Sequence, residues 1–136
     1  MIWMLDTDTV GYLINRGPGV ERIKRRLSGR SPGEVRISAI TLVEIRYGFA
    51  AGDVSAERHD ALEDFLALFQ VDDFPAAAAA DYAAIRVALE RAGKRIGAYD
   101  LLIAAHARRI NATLVTNNES EFKRVPGLSV QNWSKP

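Results

Sequence analysis

Asp6 and Asp8 are the first residues of this chain whose types and spacing could do chemistry. They follow the apolar run Ile2 to Leu5 in the opening segment Met-Ile-Trp-Met-Leu-Asp-Thr-Asp-Thr-Val. Three more acidic stretches lie far apart in the sequence: Ser38 to Glu44, Tyr99-Asp100, and Asn117 to Phe122 with Asn118, Glu119 and Glu121. The chain has no cysteine, and His59 and His106 are its only imidazoles, so any bound metal must rest on oxygen. Carboxylates gathered at one crevice repel each other unless a hard divalent cation neutralises them. Mg²⁺ is such a cation; it takes oxygen ligands, keeps several waters and suits phosphoryl chemistry.

Every member of this set also has a purely structural use. Asp6 or Thr7 can cap a following helix by accepting from its free N–H groups. Thr41-Leu42-Val43-Glu44 matches a capping box, in which Glu44 returns a hydrogen bond to a helix start. Asp100 in a first helical turn suits the helix dipole, Asn117 and Asn118 are ordinary turn formers, and His106 on an apolar helix reads as a core residue.

The elements around these residues decide whether they meet. Ile2 to Leu5 has the length and uniform apolarity of a strand buried on both faces, as inside a parallel sheet. Thr9 to Arg16 reads as a short helix ended by Gly17-Pro18-Gly19, and Val20 to Leu27 as a cationic amphipathic helix. A loop from Ser28 to Glu34 leads to a strand, Val35 to Ser38, then helices over Ala39 to Ala51 and Ala56 to Gln70. Val71 to Phe74 is expected as a short edge strand, with Pro75 opening a helix that runs to Arg91. A basic connection, Gly93 to Ala98, leads into a central helix through Leu101 to Ile110. Thr113 to Thr116 is the next strand, Asn117 to Phe122 a turn with a short helix, and Leu128 to Val130 a last strand.

Strands alternating with helices predict a three-layer α/β/α fold with a mostly parallel central sheet. Right-handed crossovers then bring the carboxyl ends of the strands, where ligands of such sheets bind, to one edge with Asp6, Glu44, Asp100 and Asn118. The acidic segments are therefore expected to converge.

Length and charge bound the rest. The 136 residues suffice for one domain spanning the whole chain, 1–136, and no apolar run approaches a membrane span. Asp6 stands where an export signal would be apolar, so a cytoplasmic location is the default. The net charge of +1 hides an asymmetry: Arg22, Lys24, Arg25, Arg26 and Arg30 face Glu21 alone within residues 21–30, whereas residues 53–73 carry seven acids against Arg58. Such a basic run attracts polyanions, although solvated helix faces produce similar runs.

Four blocks in this order carry a family resemblance: Met-Leu-Asp6-Thr-Asp8; Ser38-Ala-Ile-Thr41-Leu-Val-Glu44-Ile-Arg-Tyr-Gly48; Ile96-Gly-Ala-Tyr-Asp100-Leu-Leu-Ile-Ala-Ala-His-Ala107; and Leu114-Val-Thr116-Asn-Asn-Glu-Ser-Glu-Phe122 with the residues to Leu128. The chain resembles PIN-domain ribonucleases, nearest in pattern to the VapC-type toxins of bacterial toxin–antitoxin pairs. The resemblance implies a PIN-like fold, a metal-dependent endoribonuclease using Mg²⁺ or Mn²⁺, and Asp6, Glu44 and Asp100 as catalytic metal ligands supported by Thr7 and Asp8. It also implies a VapB-like antitoxin whose C-terminal segment wraps the toxin over the acidic cleft, and a homodimer. One departure stands out, because many relatives carry an acid where this chain has Asn118; a second metal would then rest on Asn118 or Glu121. With RNA as substrate, Arg22, Lys24, Arg25, Lys94 and Arg95 become candidate backbone contacts.

Two rival readings accompany this one. Asp6-Thr7-Asp8-Thr9 after an apolar strand also resembles the first motif of haloacid-dehalogenase-like phosphatases, whose first aspartate is a nucleophile. Those enzymes need a lysine and a late acidic pair, and this chain has no lysine between Lys24 and Lys94 and offers Asn117-Asn118 where the pair would stand. The other rival is an inactive PIN-like interaction module, against which the retained Asp6, Glu44 and Asp100 argue.

Overall fold

A computed structural model describes all residues from Met1 to Pro136. Five short strands make one fully parallel sheet: β1 (Trp3–Leu5), β2 (Val35–Ser38), β3 (Gln70–Asp72), β4 (Thr113–Val115) and β5 (Ser129–Gln131). Their spatial order is β3-β2-β1-β4-β5, with Trp3 in register with Val35 on one side and Thr113 on the other. The central position of β1 accounts for its uniform apolarity. Met4 points into one apolar cluster while Leu5 points into the other, so both faces of the strand are dry.

Seven helices cover the sheet. They are α1 (Thr7–Asn15), α2 (Val20–Leu27), α3 (Ala39–Ala51), α4 (Ala56–Leu68), α5 (Ala78–Arg91), α6 (Ala98–Arg109) and the single turn α7 (Glu119–Phe122). Val10, Ile14, Ile23, Leu62 and Phe65 bring α1, α2 and α4 onto one face; Ile85, Leu89, Ile103 and Ala104 bring α5 and α6 onto the other. Helix α3 bridges the two layers, with Ile45 in the first cluster and Ile40 against the second. From β1 the chain winds outward through β2 to β3, then crosses back to β4 on the far side of β1. The winding direction reverses between β1 and β4, which is where doubly wound sheets open a ligand crevice.

Several boundaries differ from the sequence reading. Helix α4 ends at Leu68 because Phe69 is already extended, and β3 begins at Gln70 rather than Val71. The register pairs Arg36 with Gln70 and lets Arg36 reach the Asp72 carboxylate at 3.0 Å, while Phe74, expected in the strand, instead meets the His106 ring edge-on. Pro75 does not open α5: its carbonyl accepts from Ala78 N–H in a turn that precedes the helix. The last strand lies one residue later than expected, and the loop after α2 contains a short 3-10 turn at Pro32–Glu34.

Candidate active site

Asp6 ends β1 and is almost wholly buried. Its Oδ1 accepts from Thr9 N–H at 2.9 Å, so it caps α1, while its own N–H donates to Val115 of β4 at 3.0 Å. The cap explains why α1 starts at Thr7 rather than Thr9. Burial pushes the Asp6 carboxyl up to about 6, against the pull of hydrogen bonds from Thr116 and Thr9. Asp8, in the first turn of α1, is exposed on the same edge.

Glu44 is not a capping-box residue. Ser38 caps α3, accepting from Ile40 N–H at 3.1 Å, which leaves Glu44 in the second turn with its side chain free of the helix start. The Glu44 Oε1 accepts instead from the Thr7 hydroxyl at 2.6 Å, and Thr7 also lies 3.3 Å from the Thr41 hydroxyl. The residue between the two opening aspartates therefore holds the third carboxylate toward them.

Asp100 occupies the first turn of α6, whose N-cap is Gly97. Its carboxyl is pushed up to about 7, first by burial and then by the negative charges of Glu121, Glu44, Asp6 and Asp8. Five carboxylates from four separate segments thus share one field. A first helical turn ordinarily favours the anion, so an upward shift there means that desolvation and crowding outweigh the dipole.

The fourth segment enters from the end of β4. Thr116, fully buried, accepts from Asn118 N–H at 2.9 Å and also serves Asp6. The Asn118 amide donates to Glu121 Oε2 at 2.6 Å, and Glu121 Oε1 lies 3.4 Å from Gly97 N–H. Glu121 is thereby held at the entrance of α6, beside Asp100. Glu119 turns away from it toward Lys123 and Lys135.

Two contacts were not read from the sequence as parts of the site. Thr116 is a small hydroxyl at the end of a buried strand, and its signal was its position beside the winding reversal. His106, read as a core residue, is buried, and its Nδ1 lies 2.8 Å from Ser38 Oγ. That contact ties α6, which carries Asp100, to the start of α3, which carries Glu44. Burial holds the His106 pKa down, with Asp72 opposing, which favours a neutral ring.

The donor set fits a hard divalent cation: every candidate ligand is an oxygen, and four of the carboxylates crowd around Asp100, whose carboxyl is raised by burial and then by their charges. No trio of carboxylate or imidazole groups is drawn together tightly enough to enclose an ion. Glu44 is held by Thr7 and Glu121 by Asn118, and mutual repulsion favours that spread.

The basic candidates divide. Arg22 and Arg25 point with Arg26 into a hollow shared with the chain's last residues, whereas Lys24 turns to Glu21 at 3.8 Å. Lys94 and Arg95 are exposed in the connection before α6, on the Asp100 side, and the Arg95 carbonyl accepts from Arg124. A separate groove of 360 Å³ runs from Thr7 and Asp8 between α1 and α3 to Arg58 of α4, and Gly11 and Gly48 are on its walls.

The PIN-domain family model matches residues 3–128. The chain is 41% identical to "Ribonuclease VapC2" of Rickettsia felis, over 99% of this chain and all of the relative. It belongs to the PIN-domain family, among the VapC ribonucleases. A second VapC relative, "tRNA(fMet)-specific endonuclease VapC" of Shigella flexneri, is 36% identical over 97% of this chain and 98% of its own length. The structure of VapBC2 from Rickettsia felis bound to a DNA fragment from their promoter superposes with a TM-score of 0.86 at 39% identity, covering 98% of this chain and 99% of that one. The parallel five-stranded sheet is thus the PIN fold that the sequence blocks implied. Membership also removes the phosphatase alternative, since the opening Asp-Thr-Asp is accounted for by the PIN pattern along the whole chain.

Proposed function

We propose that this chain is a metal-dependent endoribonuclease, acting in the cytoplasm as the toxin of a toxin–antitoxin pair. The observation that carries the reading is the convergence of Asp6, Glu44, Asp100 and Glu121, from four separate segments, at the winding reversal of the sheet. Asp6, Glu44 and Asp100 would hold Mg²⁺ or Mn²⁺, which would supply charge stabilisation on the scissile phosphate and a more acidic water. The chain's own residues do the positioning. Thr9 N–H and Thr116 fix the Asp6 carboxylate, the Thr7 hydroxyl orients Glu44, and the first turn of α6 presents Asp100. No side-chain nucleophile is required.

The test is hydrolysis of purified RNA, with tRNA(fMet) as first substrate because a relative bears that name, in Mg²⁺, in Mn²⁺ and in chelator. Cleavage that needs the cation and stops in chelator is expected. Equal cleavage in chelator, or none in any condition with folded protein, ends the reading.

The partner follows from the solved VapBC relatives: a VapB-like antitoxin, for whose C-terminal segment the groove from Asp8 to Arg58 is the proposed seat. Expression without it is expected to arrest growth. The homodimer implied by the family predicts twice the chain mass in light scattering.

Asn118 and Glu121 give a separate expected result. In Asn118→Asp the amide donor to Glu121 becomes a facing carboxylate, so the metal-free protein should lose about 1–2 kcal/mol. Mn²⁺ should recover that loss and bind more tightly, as seen in calorimetry. Glu121→Gln should weaken Mn²⁺ if Glu121 completes a second site. Unchanged metal affinity in both variants would place this segment outside the metal site.

A further inference from the structure

The acidic crevice repels the substrate that the proposed ribonuclease must bind, so attraction for RNA has to come from elsewhere on the surface. Eight cations of this chain are paired with carboxylates: Lys24 with Glu21, Arg36 with Asp72, Arg46 with Glu63, Arg86 with Glu90, Arg108 and Arg109 with Asp81, and Lys123 and Lys135 with Glu119. Arg22, Arg25 and Arg26 have no carboxylate within ion-pair reach. They line a hollow of 210 Å³ together with Trp133, Lys135 and Pro136, with no acid in the lining. Three unpaired guanidinium groups of α2 are held together there beside Lys135, which comes from a segment more than a hundred residues away and is itself paired with Glu119.

The hollow is built by contacts that also join it to the crevice. Gly19, in the left-handed region at φ 75, starts α2, and a Cβ on it would stand 2.6 Å from Ser134. Only a glycine lets the last segment approach α2 this closely. Ser134 Oγ donates to Asn117 Oδ1 at 2.6 Å, and Lys135 reaches Glu119 at 3.7 Å. Asn117 follows Thr116, which hydrogen-bonds Asp6. The route from the scissile position to the cations is therefore a few side chains long.

We infer that the hollow formed by Arg22, Arg25, Arg26 and Lys135 binds the phosphodiester backbone of the RNA a few nucleotides from the cleaved bond. The inference rests on the ribonuclease reading for its substrate. Guanidinium groups grip phosphate oxygens in pairs, and three of them on one rigid helix hold a strand in register without reading its bases. Lys24, on the other side of α2, lies outside this surface.

The test is fluorescence anisotropy of a fluorescein-labelled single-stranded RNA in chelator over a salt series, with hydrolysis followed separately in Mg²⁺. Replacing Arg22 and Arg25 together by Gln should weaken binding about tenfold and lower the slope of log K against log salt by about 1.4, the value for two contacts on a single strand. Lys24→Gln should change binding by less than about twofold, as expected for a charge off the RNA path. The inference is overturned if the double variant binds like the parent, if Lys24→Gln weakens binding equally, or if the double variant loses only the antitoxin complex. Cleavage by a double variant that binds normally would leave the ribonuclease reading intact and end this one. A parent protein that cleaves no RNA would end the ribonuclease reading and this inference together.

Discussion

Asp100→Asn is expected to lose hydrolysis by about a thousandfold or more while becoming more stable in chelator, because one carboxylate does both harm and service. In the folded chain that carboxyl titrates at about 7, against 3.8 for the ordinary group, and burial is the first cause, followed by four neighbouring anions. The sign follows from proton counts. Between about pH 4 and pH 7 the folded state holds a proton that the unfolded state has released, so stability falls as pH rises through that window and stays lower above it. Asparagine cannot ionise and escapes the penalty. Three units would amount to about 4 kcal/mol, but water reaching a half-buried, coupled group reduces this, and about 1–2 kcal/mol is expected at pH 8.

The gain should shrink as pH falls through that window and vanish below about pH 3.5, where the parent's group is neutral in both the folded and the unfolded chain. Asp6→Asn should behave alike, with a smaller gain because Asp6 also caps α1 through Thr9 N–H. Mn²⁺ should reverse the order, stabilising the parent and leaving the variants unmoved, with affinity rising from pH 5.5 to 8 as it competes with the retained protons. Thermal unfolding at pH 4.5 and 8, with chelator and with Mn²⁺, checks all of this beside the RNA assay. Parental activity in Asp100→Asn, or destabilisation at pH 8, would remove Asp100 from the site.

Much of this arrangement could be read from the chain because its signals were local. An apolar run bounded by acids marked β1 and its edge, and strand–helix alternation placed the other acidic segments beside it. What could not be read depended on distant partners. Glu44 matched a capping box three residues after Thr41, and only the folded structure, in which Ser38 takes the cap and Thr7 takes Glu44, separates the readings. β3 was misplaced because its position comes from pairing with β2 and from the Arg36–Asp72 contact, neither of which has a local pattern. Lys24 was grouped with Arg22 and Arg25 because all three lie in one basic run; the helix turns it toward Glu21.

Filling the groove beside the active site is expected to free the toxin from its antitoxin without touching catalysis. Gly11 sits inside α1 and Gly48 inside α3, where each costs roughly 1 kcal/mol of helix stability relative to alanine. Neither is required by the chain itself, since a Cβ on either would meet nothing within 4 Å. Both line the groove that leads from Thr7 and Asp8 to Arg58. Two bare stretches of helix backbone facing one groove suit a partner segment that packs against them closely, and the acids at its mouth suit a basic side chain on that segment. Gly48→Leu puts a branched side chain into that space. The free protein should be at least as stable as the parent and should cleave RNA at the parental rate, while affinity for the antitoxin falls about a hundredfold or more, since a well-packed interface does not accommodate an inserted isobutyl group. In cells the variant should arrest growth even with the antitoxin co-expressed. Gly11→Ala, which adds only a methyl, should show a smaller loss of binding in the same direction. Full antitoxin affinity in Gly48→Leu, measured by calorimetry on the purified pair, would show that the antitoxin segment lies elsewhere and would leave the two glycines without an external reason.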